Sequence, residues 1–299
     1  MTSNYKLVMC AARGGLALQT GTLDGQAVLD VVQDALDLPR TEVGGRDLDG
    51  RLVAEQGMRV REPQLCLLGV AAYVAAVAGT ALTGVAAGLR RAGIAEERRL
   101  RIGRLAGAGL AAWFLFLAMT AVSGLYLQEP ARPRFLWYLV PGFLAVVVLF
   151  RARWLRTAVK AMPTWWIPAF QTLRLGGGLT LFAAWAVGLA PWGLARTAGS
   201  FDLLVGAAAV AVALALARGV NGSLGMGLLW NGLGLGDILH TLFRAVASAP
   251  GPLRLYFDEP ANRIAAVFPF IYLPGFIVPL TVLLHLLSLR QLLATGVRR

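Results

Sequence analysis

Lysine is almost missing from this chain. Only Lys6 and Lys160 occur among 28 basic residues, so the other 26 are arginine. No apolar run contains a lysine, which removes the Schiff-base chemistry that a retinal pigment requires. Cysteine is equally scarce. Cys10 and Cys66 stand far apart, and two distant thiols make neither a disulfide framework nor a zinc site. The two histidines, His240 and His285, are set at different depths. Counted along their helices, they lie about 22 Å and about 6 Å from the inner ends, so they are not expected to share a metal ion or cap one haem. Charge itself is sparse at 15%, where soluble domains carry about a quarter. Residues 1–20 lack a continuous apolar stretch, so no signal peptide is expected.

What fills the chain is apolar. Hydrophobic residues make up 57% of 299, and mean hydropathy is +0.65. This composition points to an integral membrane protein. The net charge of +12 does not mark a nucleic-acid binder. Its arginines cluster in short loops, as the positive-inside rule describes, and no basic patch is interleaved with aromatics. Segments 90–104 and 151–166 hold ten Lys/Arg, while 128–134 and 190–200 hold three. The first two are therefore read as inner loops and the last two as outer loops. The abundance of Arg, Ala, Gly and Leu points to a GC-rich bacterial genome, and hence to the bacterial inner (cytoplasmic) membrane.

The expected architecture is all-α: a polytopic bundle of seven transmembrane spans, N-terminus outside and C-terminus inside. Residues 1–64 are a polar N-terminal tail, disordered or dispensable, with a short amphipathic stretch over Leu29–Leu36. Translation is expected to begin near Met58. The spans are Leu65–Leu89, Leu105–Leu127, Phe135–Leu155, Ile167–Leu189, Phe201–Ala217, Leu228–Ala247 and Ile264–Leu289, within a bundle covering 65–292. Residues 293–299 form a short basic cytoplasmic tail. Gly84-x-x-x-Gly88 offers close helix contact, and Gly176-Gly177-Gly178 offers close packing or a bend rather than a phosphate loop. The tryptophans and basic residues of 151–166 suit a segment lying in the interface. Ser248–Arg263 is read as a lid. Pro269, Pro274 and Pro279 are expected to kink the seventh span.

The sixth span concentrates the charges. Asp237, His240 and Arg244 follow at three and four residues, so one helical face carries all three. With Gln171, Arg174 and Asn231, and with Asp202 either capping its helix or closing the outer end, they outline a polar seam through spans four to six. Ionisable groups at membrane depth face a partner or a wet cavity. Arg174 is counted about 10 Å deep and Asp237 about 18 Å, so the two are expected to pair, with Arg244 held by Asp202 or by headgroups. Gly222-Ser-Leu-Gly225 has the look of a serine-protease motif, but Ser223 sits some 25 Å along the helix from His240. No catalytic residue, cofactor or metal is assigned.

Several stretches carry a family resemblance: Gln171-Thr-Leu-Arg174, Phe201-Asp-Leu-Leu-Val-Gly206, Trp230-Asn-Gly-Leu-Gly-Leu-Gly-Asp237, and Pro279 through Leu292. Over roughly Pro163 to Leu292 the chain resembles a set of uncharacterised bacterial multi-pass membrane proteins, for which no activity is implied. An apolar residue is expected where this chain has His240. The role that follows from the residues is transport of a small solute or ion through the seam, in contact with the lipid bilayer. The alternative is a non-catalytic scaffold bound to a membrane protein partner.

Overall fold

The computed structural model describes residues 7–12, 15–20, 51–125 and 136–296. The described chain is helical apart from one antiparallel hairpin, β1 (Leu7–Ala12) with β2 (Gly15–Thr20), in which Leu7 faces Thr20 and Ala12 faces Gly15. Helix α1 runs from Arg51 to Arg91, already under way before Met58. The stretch at Leu29–Leu36, the loop Gln128–Arg134 and the last basic residues 297–299 lie outside the described residues.

Helices α2 (Glu96–Val122), α3 (Leu136–Arg151), α4 (Arg153–Ala161), α5 (Trp166–Gln171) and α6 (Arg174–Ala186) follow. A short turn, Trp192–Leu194, and a π turn, Ala195–Gly199, lead into α7 (Ser200–Ala217). After α8 (Ser223–Ala247) comes an irregular segment, then a π turn, Leu273–Ile277, and α9 (Val278–Gly296).

Seven spans were expected. Among the described residues, four helices are long and apolar enough to cross a membrane: Gln64–Arg91, Glu96–Val122, Trp192–Ala217 and Leu273–Thr295. A fifth arises if α3 and α4, bent by 66° at Ala152, count as one broken span. The expected fourth span is divided at Thr172–Leu173 into α5 and α6, each too short to cross alone. The expected sixth, α8, is long enough, but Asn231, Asp237, His240, Arg244 and five glycines make it too polar. The supposed outer loop Pro191–Ser200 is helical and extends α7 backwards. In the last span Pro269 lies before the helix, while Pro274 and Pro279 lie within one continuous helical run, the π turn passing directly into α9. Pro274 sits in the π turn and Pro279 at the start of α9, which begins later than expected and runs on to Gly296.

Packing follows the small residues. A Cβ added at Gly88 would come within 2.8 Å of the Ala158 carbonyl oxygen, and one at Gly84 would collide with the Trp166 ring. The GxxxG stripe of α1 therefore seats α4 and α5. Helix α4 buries Leu155 and Ala158 there, and Gln291 Nε2 donates to the Val159 and Met162 carbonyls at its C-terminal end. The larger core gathers Leu117, Tyr138, Ile167, Phe270 and Ile271, each 1% exposed or less. Tyr138 Oη ties α3 to the Ala265 carbonyl at 2.6 Å.

Candidate functional site: a buried arginine shared by two aspartates

The centre of the bundle is polar where α6, α7, α8 and α9 meet. Arg174 opens α6, immediately after the helix break, and is 5% exposed. Its Nε donates to Asp202 Oδ1 at 2.8 Å. Its Nη2 bonds both Asp202 Oδ1 and Asp237 Oδ2. Nη1 lies 3.4 Å from His285 Nε2. One guanidinium thus serves two carboxylates on different helices, a centre with one formal positive and two formal negative charges.

Glycines let the helices close on it. A Cβ at Gly178 would stand 2.6 Å from the Gly199 carbonyl oxygen, so only glycine brings α6 this near the π turn before α7. One at Gly177 would stand 3.2 Å from Tyr73 Oη and 3.3 Å from Asp202 Oδ2. Tyr73 of α1 therefore reaches the same point. On α8, a Cβ at Gly234 would overlap the His285 ring, so that glycine admits the imidazole.

A second set of bonds continues from His285. Its Nδ1 lies 2.9 Å from Asn231 Oδ1. Asn231 Nδ2 donates to Ser288 Oγ at 3.0 Å and to the Gly227 carbonyl at 2.7 Å. Since Asn231 Oδ1 can only accept, His285 carries its proton on Nδ1 in this contact. Asn231 and His285 are fully buried. The Trp230 ring lies 4.9 Å from that of His285, and its Nε1 donates to the Val205 carbonyl at 3.0 Å.

Of the seven residues expected in the seam, Arg174, Asp202 and Asp237 meet directly, and Asn231 joins through His285. Gln171 is buried at the end of α5, directly before the helix break, and reaches the Thr281 carbonyl at 3.4 Å. Two residues stand apart. His240 packs edge-on against Phe201, with centroids 5.3 Å apart. Arg244 is not held by Asp202. Its guanidinium lies over the Tyr256 ring at 3.5 Å, and Nη2 is 3.9 Å from Asp258 Oδ2. Both partners belong to the expected lid, Ser248–Arg263. Asp202 makes no cap for its helix, since no side-chain bond caps α7; it turns inward to Arg174 instead.

Tyr73, His285 and Ser288 were not expected at the centre. Tyr73 is the one aromatic residue in the apolar run Leu65–Leu89. The seventh span read from the sequence ends at Leu289, about 6 Å beyond His285; α9 runs to Gly296, which sets His285 about 16 Å in.

Beside the carboxylates lies a cavity of about 90 Å³, lined by Gly177, Asp202, Thr241, Asn262 and apolar residues that include Leu181 and Phe270. Thr241 Oγ1 donates to Asp237 Oδ1 at 3.4 Å. Among the described residues, no group of three or more His, Cys, Asp or Glu could hold a metal ion.

Fold and site together define a helical protein with several membrane-length apolar helices, built around one buried charge centre. The chain belongs to the family described as Domain of unknown function (DUF8737), whose model matches residues 134–293. That match starts before the stretch carrying the resemblance and includes every residue of the centre except Tyr73. No curated protein and no solved structure matches the chain.

Proposed function

We propose that this is an integral protein of the bacterial inner membrane that moves a small solute or ion past the Arg174 centre. The supporting observation is the charge count beside a cavity. Arg174 balances one of two buried carboxylates, and Asp202 and Thr241 also line the space next to it. Unbalanced charge away from water costs several kcal/mol, so a centre of this kind is retained where it handles a charged or polar passenger. The four membrane-length helices supply the setting.

A scaffold role is the second reading. It is favoured by how fully Arg174, His285, Asn231 and Ser288 satisfy one another, since such networks also fix helix register.

Water access separates the two. In a chain with Cys10→Ser and Cys66→Ser, Ala245→Cys places a thiol on the cavity wall. Gly236→Cys places one on an outward face with nothing within 4 Å. In native membranes, transport requires a hydrophilic, membrane-impermeant thiol reagent to label Ala245→Cys and to leave Gly236→Cys unlabelled. No labelling at Ala245→Cys rejects transport and leaves the scaffold.

A further inference from the structure

Asn262 carries an oxygen with nothing to do. The residue is 3% exposed. Its backbone N–H donates to the Ser248 carbonyl at 2.9 Å, and Nδ2 donates to the Ala245 carbonyl at 2.9 Å. The donor end of the amide is thereby committed, which identifies the other end as the acceptor. That acceptor, Oδ1, has no hydrogen-bond partner among the described residues. A buried amide oxygen left so is costly, and Asn262 lines the same cavity as Asp202 and Thr241.

The three oxygen donors share one character. Arg174 takes Asp202 through Oδ1 with both Nε and Nη2, leaving Oδ2 on the side of Gly177, itself a cavity residue. Thr241 spends its proton on Asp237 and keeps lone pairs to accept with. Asn262 Oδ1 is free. The rest of the wall is largely apolar. The space holds roughly three waters at about 30 Å³ each.

We propose that this cavity is a binding site for one hydrated monovalent cation of sodium size, liganded by Asp202, Thr241 and Asn262. Hard cations take oxygen ligands, water among them. The charge fits: two carboxylates and one guanidinium leave one negative charge, which one monovalent ion cancels. A divalent ion would overshoot it, and a transition metal would find no nitrogen or sulfur on the wall. This inference rests on the transport reading for its purpose, naming the ion that the centre would handle.

Binding is measured apart from labelling, so the two can fail separately. The full-length protein in detergent is melted across a sodium chloride series, with choline chloride holding ionic strength constant. Sodium should raise the melting temperature saturably, and choline should not. Thr241→Val and Asn262→Leu should each raise the half-saturating sodium concentration about tenfold or more, as loss of a ligand to a charge implies. Thr241→Ser, which keeps the oxygen, should bind as the parent does; it also serves if either larger change prevents folding. Equal melting in sodium and choline overturns the proposal, as does stabilisation by calcium or magnesium alone. A sodium effect that both Thr241→Val and Asn262→Leu leave intact places the ion elsewhere and equally overturns it. Sodium binding without labelling of Ala245→Cys keeps the site and rejects transport.

Discussion

At Arg174 the decisive quantity is the number of charges it answers. Its guanidinium is 6% exposed and meets carboxylates on two helices. Removing it strands both. Removing one carboxylate leaves a balanced pair, because the other still holds Arg174. Arg174→Leu should therefore destabilise the protein by about 3–5 kcal/mol, the usual result of leaving buried charge unpaired. Asp237→Asn should fold nearly as well as the parent. Yield of monodisperse protein after detergent extraction, with its melting temperature, measures both; equal losses in the two variants would mean that the centre is not short of positive charge. The sequence showed the Arg174–Asp237 pair through spacing and depth alone. Asp202 was harder to place, because a carboxylate in a first helical turn has a ready local explanation as a partner for the helix dipole. Only tertiary packing reveals that it turns inward. His285 hid for another reason: its depth depends on where α9 ends, and helix ends are the least certain feature of a sequence reading.

At the level of elements, glycine sets how closely the helices approach. Gly178 faces the backbone of Gly199, whose carbonyl cannot swing aside as a side chain can. Gly236, on α8, faces open space. Gly178→Ala should push α6 from α7 and cost about 1–3 kcal/mol by overpacking. Gly236→Ala should be neutral or stabilise by up to about 1 kcal/mol, because it improves helix propensity without a clash. Thermal melts of the two variants in one detergent make the comparison; a loss at Gly236→Ala as large as at Gly178→Ala would refute the packing argument. The triplet Gly176-Gly177-Gly178 was legible as a packing device, and the structure supplies its partners, Tyr73, Asp202, Gly199 and Leu203. The break between α5 and α6 was not legible. No proline marks Thr172–Leu173, and the break shows only where Gln171 and Arg174 are drawn to α9 and to the charge centre.

For the whole molecule, the proposed membrane setting turns on which helices cross. Hydropathy reads long apolar runs well and polar helices poorly, so α1, α2, α7 and α9 stand out while α8 does not. The bent pair α3–α4 decides the parity. Helix α3 has 16 residues, about 24 Å at 1.5 Å per residue. That is short of a hydrocarbon core of about 30 Å, but arginines at a helix end can snorkel and a bilayer can thin to meet them. Arg151, Arg153, Arg156 and Lys160 cluster at the bend. By the positive-inside rule they belong on the same side as Arg90–Arg104. On the membrane setting proposed above, α2 leaves that side and needs a returning crossing, which α3 would supply with α4 lying along the inner surface. The basic and apolar faces of α4 suit that position. Gly88 of α1 packs on Ala158, and Gln291 of α9 bonds the Val159 and Met162 carbonyls, so the C-terminal ends of α1 and α9 meet helix α4 at one end of the bundle. Reporter fusions after Arg104 and after Arg299 should both read cytoplasmic. Reporters that read opposite sides would refute this arrangement.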